Sequence, residues 1–220
     1  MPPITVLIAE DHALLADALQ MLLSTQADMH CVGAVHDGAQ ALAQTLALKP
    51  AVLLLDLGLP RLDGLAVVGA LKQAGSTTRV LVVTARLDAA SVRAALSLGA
   101  AGYLPKDEDS DELLLALRRV AQGRRYISAH IAELFTPDGV AAPAASEAPA
   151  LTPSEQVVLR LVGEGLTSRE IGEQLAVAEA TVRKHRENIR RKLGLRNSAE
   201  MAAYAIRVQG APPPHPPPSF

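Results

Sequence analysis

Five positions in the first half of the chain carry side chains whose chemistry becomes useful only if they meet. Glu10 and Asp11 follow the apolar run 4–9, and Asp56 follows the run 51–55. Thr84 closes the run 79–84 and is followed by the small Ala85, and Lys106 follows Gly102-Tyr103-Leu104-Pro105. Three carboxylates at one edge repel each other unless they hold a hard divalent cation such as Mg²⁺. A lysine ammonium and a threonine hydroxyl beside them suit the oxygens of a phosphoryl group. Singly, each residue has a plainer role. Glu10 and Asp11 would equally cap the following helix, whose N-terminus favours carboxylates. Thr84 and Tyr103 are ordinary strand residues, and Lys106 an ordinary surface lysine. Asp56 is harder to set aside, because an unpaired carboxylate behind five apolar residues is costly to bury. The joint placement carries the reading.

A second group is cationic. On a helix over 179–193, Val182, Ile189 and Leu193 share one face. At about 100° per residue, Arg183, Lys184, Glu187 and Arg191 lie opposite, with Arg190 near the edge of that face. An apolar face toward a core and a basic face outward suit insertion into a DNA major groove. A solvated charged face is the plain alternative.

These residues need elements to position them. The runs 4–9, 29–35, 51–56, 79–84 and 100–104 read as strands, alternating with helical patterns near 12–26, 38–48, 63–74, 88–98 and 110–122. Val52-Leu53-Leu54-Leu55 and Val80-Leu81-Val82-Val83 lack polar interruption, as strands buried on both faces of a parallel sheet do. Five strand–helix repeats predict a doubly wound, five-stranded parallel α/β domain over 1–122. In such sheets functional groups collect at the carboxyl ends of the strands, where the five positions fall. Residues 123–150 read as a short helix near 128–135 and an Ala/Pro-rich linker. Capping patterns at Thr152-Pro153-Ser154-Glu155, Thr167-Ser168-Arg169-Glu170 and Asn197-Ser198-Ala199-Glu200 then open helices of a small all-α domain of four helices over 151–210. Within it, helix 168–175 turns Ile171 and Leu175 inward, and Gly172 permits a close helix crossing. Ala176-Val177-Ala178 makes the turn into 179–193. The last helix places Met201, Tyr204, Ala205 and Val208 on one stripe. The Pro-rich tail 211–220 is expected to lack a packed structure.

Composition narrows the partners. Aromatics are 2% of 220 residues and tryptophan is absent, which suits tight helix and strand packing more than an aromatic-lined binding site. Net charge is −2 but unevenly spread. Roughly 9 basic and 13 acidic side chains fall in 1–122, against roughly 10 basic and 7 acidic in 151–210. Two halves of opposite sign suggest two different partners. The single cysteine, Cys31, excludes an internal disulfide and fits a reducing compartment. No secretion pattern and no run of about 18 apolar residues is present, so a cytoplasmic protein is expected. No catalytic triad, Walker loop or Cys/His metal cluster occurs.

The five positions, with Tyr103, resemble the phosphoacceptor pocket of the flavodoxin-like receiver domain, over roughly residues 4–122. Residues 151–208 resemble the four-helix LuxR-type helix-turn-helix domain. That likeness is carried by Leu151-Thr152-Pro153-Ser154-Glu155, by Gly165-Leu166-Thr167-Ser168-Arg169-Glu170-Ile171 and by Thr181-Val182-Arg183-Lys184-His185. Together they resemble the NarL/FixJ family of transcriptional response regulators. The resemblance implies that Asp56 accepts a phosphoryl group from a sensor histidine kinase. Mg²⁺ would be held by Asp11, Asp56 and the Gly58 carbonyl, with Glu10 acting through water. Lys106 would contact the phosphoryl oxygens, Thr84 would turn inward toward them, and Tyr103 would rotate inward as space opens. Gly58 and Arg86 would influence the dephosphorylation rate. In the second half Arg183, Lys184 and Glu187 would face bases or nearby phosphates, and Arg190, Arg191 and Lys192 phosphates. His185 would pack at the helix flank, and the last helix would mediate a homodimer on double-stranded DNA. The first half would cover 168–193 until phosphorylated. No enzyme activity is implied beyond the receiver's own phosphorylation and dephosphorylation.

Two residues depart from the family pattern. Ala178 stands where a capping Ser or Thr is common, and such a loss costs about 0.5–2 kcal/mol. Glu187 is acidic where a groove-facing lysine is common, and would either accept from a cytosine amino group or repel phosphates. Two rival readings are a constitutive DNA-binding protein with a degenerate receiver used for dimerisation, and a Mg²⁺-dependent phosphohydrolase built on Asp56.

Overall fold

The computed structural model describes residues 2–128, 131–132 and 151–209. The chain divides into two compact units, Met1–Ser146 and Glu147–Phe220. Most of the helix expected near 128–135, the linker 136–150 and the tail 211–220 lie outside the described residues.

In the first unit strands and helices alternate: β1 (Ile4–Ala9), α1 (Ala13–Ser24), β2 (Met29–Val35), α2 (Gly38–Leu48), β3 (Val52–Leu55), α3 (Gly64–Gln73), β4 (Arg79–Thr84), α4 (Ala89–Leu98), β5 (Gly102–Pro105), α5 (Ser110–Ala121) and β6 (Tyr126–Ile127). All pairings are parallel, in the order β2-β1-β3-β4-β5-β6. The pleat sorts the apolar runs into two cores. Leu7, Leu53, Leu55, Val80 and Val82 pack with α2, α3 and α4. Val6, Ile8, Val52, Leu54, Leu81 and Val83 pack with α1 and α5. Successive strand side chains face opposite sides, so a sheet covered on both faces demands uninterrupted apolar runs. Asp37, Asp63 and Asp88 cap α2, α3 and α4, accepting backbone N–H groups from Gln40, Leu65 and Ser91.

The sequence suggests five strands and a domain end at 122, whereas the sheet has six strands. Tyr126 and Ile127 pair with Gly102 and Tyr103, and Ile131 is buried in the core that faces α2–α4. The chain turns there at Gly123, with φ of +82°. The Tyr126 hydroxyl donates to the buried Glu112 carboxylate, and Arg119 lies over the ring at 5.7 Å. Two residues behind Arg124-Arg125 show no alternation in sequence, so the pairing is decided by the available edge of β5.

The second unit contains α6 (Pro153–Gly163), α7 (Ser168–Leu175), α8 (Glu179–Lys192) and α9 (Ser198–Gln209). Val158, Leu161, Ile171, Val182, Ile189, Met201 and Ala205 form its core. Thr152–Glu155 and Thr167–Glu170 are reciprocal capping boxes, as their spacing predicts. At α9 the reciprocity fails. Asn197 accepts from the Glu200 N–H at 2.9 Å, but the Glu200 carboxylate reaches the Arg196 N–H. A Cβ at Gly172 would stand 2.9 Å from the Val177 carbonyl oxygen and 3.6 Å from Glu179 Cα, so the glycine lets α7 approach both the turn and the start of α8. Val208 leaves the predicted stripe and is 51% exposed.

Candidate functional site

The strand order reverses at β1, where an open α/β sheet presents a crevice at its carboxyl ends. Glu10 follows β1, and the Asp56 N–H donates to Ala9 at 2.9 Å, so two carboxylates rise side by side. They are 1% and 5% exposed. Lys106 follows β5 and is placed by its N–H bond to the Thr84 carbonyl. Its ammonium bridges the pair, 2.8 Å from the Glu10 carboxylate and 2.9 Å from Asp56 Oδ2. Burial opposes the Lys106 charge, but the bonds to Glu10 and Asp56 outweigh it and hold the pKa above the usual lysine value. His12, exposed, places Nδ1 2.9 Å from Glu10 Oε1 and 2.9 Å from Asp11 Oδ1. The bond to Glu10, then the charge of Asp11, raises the imidazole pKa.

These residues fit a divalent cation. Donor atoms of Glu10, Asp11 and His12 lie within 4.8 Å of one another. Three carboxylates against one ammonium leave a negative excess that a hard cation offsets. Gly58 sits at the mouth, where a Cβ would come 3.2 Å from Asp56 Oδ2.

Arg86 ties the rest of the pocket together. Its N–H donates to Thr84 Oγ1 at 3.3 Å, and its carbonyl accepts from the Tyr103 hydroxyl at 2.5 Å. Its guanidinium meets Asp63, the cap of α3, at 2.9 Å. Burial, then the charge of Asp88, pushes the Tyr103 hydroxyl up to about 12. Tyr103 is fully buried.

In the second unit, α8 buries Val182, His185, Asn188, Ile189 and Lys192. Arg183 and Glu187 are exposed, and Lys184, Arg190 and Arg191 partly so. The burial of His185 agrees with its expected place at the helix flank. Lys192 corrects the sequence expectation. Its ammonium is 3% exposed and lies 2.8 Å from the Glu155 carboxylate, itself 1% exposed. It sits one helical turn from Asn188 and two from His185, on the inward side, and so faces α6 instead of a phosphate. Ala178 begins α8 with no side-chain cap, as its identity predicts.

A model of the response regulator receiver domain matches residues 6–118, and one of the LuxR family of bacterial regulatory proteins matches 149–205. The nitrate/nitrite response regulator NarL of Escherichia coli K12 is 32% identical over 92% of this chain and 94% of its own. The chain belongs to the NarL-type response regulators. The oxygen regulatory protein NreC of Staphylococcus aureus is 31% identical over 92% of this chain and 96% of its own. Among solved structures, response regulator ChrA of a heme-sensing two-component system shares 30% identity, with a TM-score of 0.53 over 95% of this chain and 98% of that one.

In this response regulator the fold brings together Glu10, Asp56 and Lys106, with Asp11 beside Glu10 through His12. Thr84 and Tyr103 meet through Arg86, not directly in any described hydrogen bond. Sequence reasoning missed His12, although its place next to Glu10-Asp11 was visible.

Proposed function

We propose that Asp56 accepts a phosphoryl group from a phosphohistidine of a sensor kinase, and that this modification controls binding of duplex DNA by the second unit. The Lys106 ammonium between buried Glu10 and Asp56 is the observation that carries the reading. An Asp56 carboxylate oxygen attacks phosphorus, the P–N bond of the donor breaks, and the departing imidazole nitrogen takes up a proton. Lys106 then follows the charge from the carboxylate to the phosphoryl oxygens, and the Thr84 hydroxyl donates to them. Asp11, Asp56 and the Gly58 carbonyl, with Glu10 through water, would hold Mg²⁺, which would supply neutralisation of those oxygens. Water attack on the aspartyl phosphate releases inorganic phosphate and restores the carboxylate, so the chemistry is the protein's own and not turnover of an external substrate.

In the second unit Arg183, Lys184 and Glu187 face bases or nearby phosphates, and Arg190 and Arg191 face phosphates. Exposed Ile206 and Val208 on α9 support a homodimer on DNA. No described helix is long and apolar enough to cross a membrane, and a duplex DNA partner would be met in the cytoplasm. Intact mass after incubation with Mg²⁺ and a small phosphodonor tests the reading. One labile phosphoryl group is expected on the wild type and none on Asp56→Asn. An unmodified wild type, under conditions that label a known receiver, would instead favour the degenerate switch.

A further inference from the structure

Along one flank of α8, beside the start of α7, runs an open groove of about 670 Å³. Its lining includes Arg183, Arg186, Glu187 and Arg190 of α8, Ser168 of α7 and Ser198 of α9. Arg183 is already answered by Glu179, 2.6 Å away. Arg186 and Arg190 are not: neither has an ion pair among the described residues. They stand four residues apart, so they share a side of the helix and repel each other. Arg186 donates only a long bond, 3.5 Å, to the Leu166 carbonyl, and burial draws its pKa below the usual guanidinium value. Arg190 Nε is buried and without a hydrogen-bond partner. A buried donor without an acceptor calls for an explanation. Swinging the Arg190 fork toward the groove sacrifices no bond at Nε.

We infer that this groove seats a backbone phosphate of duplex DNA, with Arg186 and Arg190 as its ligands. This rests on the reading of the second unit as a DNA binder. A phosphodiester would relieve the like-charge pair, and guanidinium forks match its oxygens. A duplex phosphate is favoured over a free phosphoanion by continuity. Arg183 and Glu187 belong both to the groove and to the exposed face of α8. DNA lying against that face brings its backbone to the groove, and such contacts set register without reading sequence.

Because the contact is sequence-independent, no operator is needed to test it. The full chain is titrated into a labelled mixed-sequence duplex by fluorescence anisotropy, between about 50 and 200 mM salt. For Arg186→Gln/Arg190→Gln the slope of log K against log salt becomes shallower by about 1, and affinity at low salt falls about tenfold. Arg125→Gln/Arg160→Gln removes equal charge elsewhere and leaves most of the slope in place. The groove variant keeps or raises its thermal midpoint, since a repulsive pair is gone. A large drop in midpoint would overturn the inference by showing that the two arginines are structural. An unchanged slope in a folded variant would overturn it too. So would calorimetry showing micromolar binding of inorganic phosphate, lost in the variant while its DNA slope stays. A wild type that binds no duplex at any salt would remove the DNA reading itself, and this inference with it.

Discussion

Lys192→Met separates a structural lysine from a DNA contact. The Lys192 ammonium and the Glu155 carboxylate are 2.8 Å apart and almost wholly shielded from solvent. Glu155 also accepts the Thr152 N–H at 2.7 Å, closing the cap of α6. Removing the ammonium leaves a buried carboxylate without its countercharge, a loss of about 3 kcal/mol. A domain of this size has a total stability of roughly 3–9 kcal/mol. The loss is therefore a large share of the total, and lowers the midpoint of the second unit by about 12–24 °C. Far-UV circular dichroism of the full chain measures it. The double variant Glu155→Gln/Lys192→Met recovers most of the loss, because glutamine keeps the cap without a charge. A midpoint within about 2 °C of wild type, together with a weaker salt dependence of DNA binding, would refute the reasoning and return Lys192 to the DNA surface.

Three further outcomes follow from the same contacts. Lys106→Met leaves two buried carboxylates facing each other, so the first unit loses about 3 kcal/mol, and added Mg²⁺ raises its melting temperature more than that of wild type. His12 titrates above the ordinary value of about 6.5 in an NMR titration of its ring protons, and Glu10→Gln returns it toward that value. Because the folded pKa is the raised one, any stability His12 lends is present below the unfolded value and lost as pH rises through the folded one. An unshifted His12 would mean that the contact to Glu10 does not persist in solution. Ala178→Ser supplies the missing cap of α8 and stabilises the second unit by about 0.5–1 kcal/mol, seen as a rise of a few degrees in its melting temperature; no rise would mean that the N–H groups of the first turn are satisfied otherwise.

The succession of strands and helices and the edge that carries the pocket are legible because both depend on local pattern. Apolar runs without interruption mark strands covered on both faces, and residues directly after such runs must lie at the carboxyl edge. Capping boxes at Thr152 and Thr167 are equally local, since donor and acceptor are three residues apart. β6 was illegible, because two residues show no period and their partner lies more than twenty residues away in β5. The bond partners of Lys106 were also hidden in sequence, being 96 and 50 residues distant.

By itself the sequence determined the two-domain plan, the edge at which Glu10, Asp56, Thr84 and Lys106 collect, and the basic helix. Those follow from periodicities of two and of 3.6, which the chain carries locally. The tertiary structure alone decided which cations face outward. Lys192 and Arg186 are indistinguishable as charges on a helix. One lies toward α6, where Glu155 answers it, and the other lies over a groove where no carboxylate among the described residues pairs with it. A charge's role depends on what other elements bring within a few ångströms, and only packing settles that.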